Sequence, residues 1–292
     1  MSKDYHLITD PEERARREAE LKAKAAEYLA QKGQSAIQEL ESNPGSQVSE
    51  VIAVMSGKGG VGKSSVTSLL AAGLAKQGYR VGILDADITG PSIPKAFHVE
   101  DLPVYQCEHG MLPVESVEGI KILSINLMMD NPADPVVWRG PVIANLVRQF
   151  WTDVAWGELD YLFIDMPPGT GDVPLTVYQS LPVTASIIVT SPQDLVSLIV
   201  EKSIKMAKQM NIPILALIEN FSYFVCPNCN ERHDIYGQSH LEDLARSHGI
   251  LYTARVPIDR SIAASMDAGQ IEAIDRPELE NLIGALMLRS KS

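Results

Sequence analysis

Residues 51–65 read Val51-Ile52-Ala53-Val54-Met55-Ser56-Gly57-Lys58-Gly59-Gly60-Val61-Gly62-Lys63-Ser64-Ser65. Five consecutive apolar residues suit a strand covered on both faces. The glycine-rich run that follows fits G-x-x-x-x-G-K-[ST], placed between a strand and a helical stretch as that loop requires. The chemistry follows from the backbone. Glycines let N–H groups wrap phosphate oxygens, the next helix presents its positive N-terminus, Lys63 reaches the β and γ oxygens, and Ser64 binds Mg²⁺. The stretch Gly57, Lys58, Gly59, Gly60, Val61, Gly62, Lys63, Ser64 and Ser65 is therefore expected to cradle ATP.

Outward from this loop, similar short apolar runs recur: VGILD at 81–85, IKILSI at 120–125, YLFID at 161–165, ASIIVT at 185–190 and PILALI at 213–218. Helical patterns separate them near 63–78, 139–152, 194–210 and 238–248. That alternation predicts an α/β domain: a doubly wound, mostly parallel sheet with helices on both faces. No internal repeat interrupts it. Residues 11–42 differ. Asp10, Pro11 and Glu13 have the order of a helix start, and Glu18 with Lys22 and Glu20 with Lys24 are i,i+4 pairs. Leu21, Tyr28 and Leu29 make only a thin apolar stripe, so a charged helical arm is expected, with Asn43-Pro44-Gly45-Ser46 as a linker. The division predicted is an arm and linker over 1–46 and an ATPase domain over 47–292.

Composition narrows the classes. The chain has 292 residues, 45% hydrophobic and 21% charged, which suits a globular protein and excludes fibrous or wholly disordered ones. Lys plus Arg number 25 against 37 Asp plus Glu, a net charge of −12, which argues against a general nucleic-acid coat. No apolar stretch approaches the roughly 18 residues of a membrane span, and the first residues carry no secretory leader pattern, so a cytoplasmic protein without membrane partners is expected.

Two strand ends carry acids. YLFID ends in Asp165, in the position of a residue that holds the Mg²⁺ shell; VGILD ends in Asp85, followed by Ala86 and Asp87. Phosphoryl transfer needs mainly positioning and charge neutralisation, so one further carboxylate near the attacking water suffices. Asp85 reads equally as a supporting acid or a turn former.

Of three cysteines, two form Cys226-Pro-Asn-Cys229 in a loop between a strand and a helix. Two thiolates at i and i+3 can share a metal but fill only half of a tetrahedral or cluster site. His233 or Cys107 within the chain, or a second CxxC across a two-fold dimer, would complete it. His233 is expected on the surface and Cys107 as a small buried hydrophobe. Four sulfurs suit a [4Fe-4S] cluster and zinc alike.

Lys58 carries a resemblance. A second lysine early in the loop is similar to the deviant-Walker-A superfamily of nitrogenase iron protein, the arsenite pump ATPase and the Min and Par ATPases. The likeness implies that Lys58 acts across a dimer on the partner's nucleotide, that Asp87 is the switch I aspartate, that Gly169 to Asp172 is switch II, and that Asn220 reads the adenine edge. With the CPNC motif added, GKGGVGKSS, DADITGPSIP, DMPPGTGD and the strand ending in IEN resemble the Mrp/ApbC family of P-loop iron–sulfur carriers. That resemblance spans residues 51 to about 260. It implies a homodimer that hydrolyses ATP, holds a labile [4Fe-4S] cluster at Cys226 and Cys229 and passes it to apo-proteins. The arm departs from the family: it has no four-cysteine motif and no small α/β domain. Two alternatives use much the same residues, a positioning ATPase and a zinc-stabilised dimeric NTPase. The first would need a basic amphipathic C-terminal helix, whereas Leu282, Ile283, Leu286 and Met287 in 278–292 suit docking on the core.

Overall fold

The structure is a computed structural model that describes residues 40–87, 92–128, 140–193 and 198–289. The expected arm helix lies almost wholly outside these residues. The first half of the described chain forms β1 (Ser46–Ser56), α1 (Lys63–Lys76), β2 (Val81–Asp85), α2 (Ser92–Ala96), β3 (Gln106–Cys107), β4 (Gly110–Met111), β5 (Val114–Glu115), β6 (Lys121–Ser124) and α3 (Gly140–Thr152). The second half forms β7 (Gly157–Asp165), α4 (Asp172–Ser180), β8 (Ala185–Thr190), α5 (Leu198–Gln209), β9 (Ile214–Glu219), β10 (Phe224–Val225), β11 (Arg232–His233), α6 (Leu241–His248), β12 (Tyr252–Arg255), α7 (Arg260–Asp267) and α8 (Glu280–Arg289).

Eight strands build one sheet in the order β12-β9-β8-β1-β7-β2-β6-β5, parallel except for the edge strand β5. β1 is central because it is apolar on both sides. Val51, Ala53 and Met55 enter one core with Val147 of α3, Val177 of α4 and Ile204 of α5. Ile52 and Val54 enter the other with Leu70 of α1, Ile93 of α2 and Leu286 of α8. Chain order reverses beside β1, with β7 on one flank and β8 on the other, so the loop after β1 opens at the switch point where such sheets bind ligands. In α8, Leu282 and Leu286 are buried, each contributing about 1.5–3 kcal/mol, and Tyr161 Oη donates to Leu286 O at 2.5 Å. The C-terminal helix therefore belongs to the core.

Three expectations need correction. β1 begins at Ser46, not Val51, because its polar half pairs with β7 from Ser46↔Gly157 onward, and ladder bonds extend the strand past its buried part. The expected linker is pinned: Asn43, 3% exposed, donates from Nδ2 to His109 O at 2.6 Å and to Thr152 O at 2.9 Å, and accepts from Gly45 N at 2.8 Å. Cys107 is exposed rather than buried, because β3 and β4 form a separate two-stranded ribbon outside the main sheet.

Candidate functional site

The loop after β1 ends at Gly62, which caps α1 with φ +77°, without a side-chain cap and with no acid in the first turn. The unpartnered N–H groups and positive helix end are thus available to an anion. Gly57 is glycine because α5 crosses above it: a Cβ there would lie 2.3 Å from Ile199 Cγ2 and 3.2 Å from the Ile199 carbonyl carbon. Ser56 Oγ donates to the carbonyl of half-buried Lys58 at 2.9 Å, which fixes the turn.

Asp165, fully buried at the end of β7, organises the charges. Its Oδ2 lies 2.7 Å from Lys63 Nζ and accepts from Ser64 Oγ at 2.5 Å; its Oδ1 accepts from Thr67 Oγ1 at 2.8 Å. Asp87 Oδ2 stands 3.6 Å from the same lysine nitrogen. Asp85 pairs with Asp165 in the β2–β7 register and accepts from Ser124 Oγ at 2.8 Å and from Asp87 N at 3.1 Å. Burial above all, and next the charge of Asp165, hold the Asp85 carboxyl well above the usual range, against the pull of Ser124, Lys63 and the Asp87 N–H. Asp85 is therefore a support that aims the backbone of Asp87. The sequence reading missed Thr67 and Ser124. Thr67 was within reach, since it lies one helical turn beyond Lys63 and Ser64 on the same face of α1.

Asn220, just past β9 and 3% exposed, donates from Nδ2 to Val61 O at 3.0 Å, while its Oδ1 is buried without a partner among the described residues. One half of this amide braces the loop and the other half is an orphaned acceptor of the kind a nucleobase amine satisfies. Ser65 Oγ donates to Met266 Sδ at 2.8 Å, which ties the start of α1 to α7. Gly169, at φ +91°, donates its N–H to Ser56 O at 2.8 Å, so the segment after β7 rests on the root of the phosphate loop.

The second feature is a hairpin of β10 and β11, with Phe224 opposite His233 and Val225 opposite Arg232. Cys226 N donates to Glu231 O at 2.9 Å and Asn230 N to Cys226 O at 2.8 Å, with Asn230 in the left-handed region at φ +57°. Cys226 is half-buried and Cys229 exposed, both as free thiols. Hydrogen bonds from the Asn228 N–H, the Cys229 N–H and the Cys229 thiol pull the Cys226 thiol below its ordinary range, an arrangement that favours a thiolate ligand. His233 is exposed. Among the described residues no group of three or more His, Cys, Asp or Glu side chains gathers to hold a metal, so this hairpin offers two sulfurs and no third donor.

The family description "NUBPL iron-transfer P-loop NTPase" matches residues 47–286. The chain belongs to this family of P-loop NTPases. Among relatives of this chain, a protein of Methanocaldococcus jannaschii named "Iron-sulfur cluster carrier protein" is 48% identical over 225 residues, 77% of this chain and 78% of its own. Another from Yarrowia lipolytica, "Cytosolic Fe-S cluster assembly factor CFD1", is 44% identical over 218 residues, 73% of this chain and 75% of its own. A solved structure from Archaeoglobus fulgidus, a nucleotide-binding protein in complex with ADP, shares 45% identity at a TM-score of 0.73 and covers 80% of this chain and 91% of its own. No helix among the described residues of the NTPase is long and apolar enough to cross a membrane.

Proposed function

We propose that the protein is an ATP-dependent carrier of iron–sulfur clusters, in which two copies hold a labile [4Fe-4S] cluster between paired Cys226/Cys229 hairpins and pass it to apo-proteins. The observation that carries this reading is the hairpin itself. It presents two sulfurs, one in a thiolate-favouring turn, with no third donor gathered beside them among the described residues, so a two-fold pair would complete four-sulfur ligation with no further residue. The names borne by the relatives agree with it, and the cytosolic relative supports a cytoplasmic setting.

ATP would sit on the loop after β1. The N-terminus of α1 and Lys63 bind the β and γ oxygens, with Lys63 exchanging Asp165 for phosphate, and the orphaned Asn220 Oδ1 accepts from the adenine amine. Ser64 and Asp165, already joined, fit the Mg²⁺ shell: a hydroxyl and a carboxylate form an oxygen donor set suited to a hard cation. The cation supplies charge neutralisation on the transferring phosphoryl group. Asp87 orients the attacking water, whose oxygen bonds to the γ-phosphorus as the bond to ADP breaks. Lys58 reaches the partner's triphosphate. The positioning reading loses its lipid-binding element, because α8 is spent on the core.

Anaerobic reconstitution with iron and sulfide tests the proposal. Roughly four iron per dimer with a broad visible absorption band is expected, and Cys226→Ala should lose both while keeping the fold. Stoichiometric, non-exchanging zinc would replace the cargo by a structural metal. A protein that stays monomeric and metal-free with every nucleotide would overturn the reading.

A further inference from the structure

The hairpin and the phosphate loop are joined by one short segment. Asn220, which braces Val61, is followed by Phe221, Ser222 and Tyr223, and then by β10. Phe221 is a non-glycine residue in the left-handed region at φ +57°, and its Cζ lies 3.3 Å from where a Gly62 Cβ would be. A strained residue packed on the loop is held there only by its surroundings, and such residues concentrate at switches.

Beneath this segment lies a buried ionic relay. Glu219, fully buried, accepts from Ser222 Oγ and from Ser239 Oγ at 3.1 Å. Arg255, 9% exposed at the end of β12, lies with Nε 3.3 Å from Glu219 Oε1 and donates from it to Ser222 Oγ at 2.6 Å. Its Nη2 donates to Asp234 Oδ1 at 2.8 Å. Asp234 directly follows β11 and also lies 3.6 Å from Arg232, whose guanidinium covers the Tyr223 ring at 3.7 Å. The planar fork of one arginine therefore ties the residue preceding Asn220 to the far strand of the cysteine hairpin.

We propose that Arg255 is a positioning residue that couples the nucleotide loop to the cysteine hairpin, through Glu219 and Ser222 on one side and Asp234 on the other. A nucleotide that engages Asn220 and Gly62 shifts Phe221 and Ser222, and Arg255 carries that shift to the turn holding Cys226 and Cys229. The proposal takes from the carrier reading only that these two sulfurs are the working ones.

The test uses metal-free, reduced protein on a Cys107→Ala background, because Cys107 is a third free thiol and is exposed. Maleimide labelling rates of Cys226 and Cys229 are measured without nucleotide, with Mg-ADP and with a non-hydrolysable Mg-ATP analogue. The expected ratio between nucleotide states is about fivefold or more in the parent. In Asp234→Ala, which cuts the exposed end of the relay and leaves no new buried charge, the ratio should fall to about one while nucleotide affinity stays within about twofold. Arg255→Lys should behave alike, since a single ammonium cannot hold both sides. A purely structural relay would shift every labelling rate together and leave the ratio intact, which overturns the proposal; so does a parent whose labelling ignores nucleotide. Cluster uptake is scored separately. Loss of uptake in the parent with a persistent labelling ratio sinks the carrier reading and upholds the coupling.

Discussion

Gly62→Ala tests how tightly the phosphate loop is built. At φ +77° an alanine costs about 1–2 kcal/mol, partly offset by about 0.4–1 kcal/mol from a stiffer unfolded chain. The new Cβ would also stand 2.2 Å from Asn220 Nδ2, which no neighbour tolerates, so the amide must leave. Its bond to Val61 O is then lost and a buried amide is left unsatisfied, at about 1–3 kcal/mol. The sum is about 2–4 kcal/mol. Gly60→Ala is the control: φ is +81° but a Cβ meets nothing within 4 Å, so only the backbone part, about 1 kcal/mol, should appear. Urea unfolding of both variants, of Asn220→Ala and of Gly62→Ala with Asn220→Ala gives a double-mutant cycle. The pair should be less than additive by about 1–2 kcal/mol, because removing the amide removes the clash. Equal losses in the two glycine variants, or strict additivity, would refute the claim that Asn220 braces the loop.

Thr67→Val removes a buried donor to the Asp165 carboxylate with little change of shape, and should lower stability by about 1.5–3 kcal/mol with an unchanged denaturant slope, while Thr67→Ser recovers most of it; an unchanged midpoint would dismiss Thr67 from the site. Arg80 holds the Asp160 carboxyl below its ordinary range through bonds from its side chain and its backbone N–H. Because the folded value is depressed, this contribution is full above the unfolded value of about 4 and fades as pH falls through the folded one. Asp160→Asn should thus be less stable than the parent at neutral pH and converge with it in more acidic buffer; a gap that persists at low pH would contradict the assignment.

What the sequence disclosed was whatever depends on neighbours along the chain. The buried runs are apolar at nearly every position and the strands appeared; Gly62-Lys63-Ser64 has a fixed spacing and the loop appeared; the two thiols lie three residues apart in the loop expected after β9, although the β10–β11 hairpin that bears them was not legible. What it hid depends on partners far along the chain. Asn43 looks like a turn residue until His109 and Thr152 supply its acceptors. Ser46 looks like the end of a linker until β7 supplies the ladder. Cys107 looks like core until its ribbon turns out to stand apart from the sheet. Arg255 and Asp234 carry no motif, because their meaning lies in a contact with Glu219 and Ser222.

The convergence of Lys63, Ser64, Thr67, Asp85 and Asp165 is itself a matter of strand parity. Tyr161 and Phe163 point to the face covered by α1, whereas Leu162 and Ile164 point to the other, so alternation sends Asp165 toward α1. Val81 and Ile83 do the same for Asp85, and the β2–β7 register sets the two acids side by side. A slip of one residue in either strand would turn its acid to the α3 face, away from the lysine and hydroxyls that α1 supplies. The apolar residues that fix this register are thus as necessary to the site as the acids, although none touches a phosphate. Together they hold a fully buried carboxylate 2.7 Å from an ammonium, with two hydroxyls donating to it.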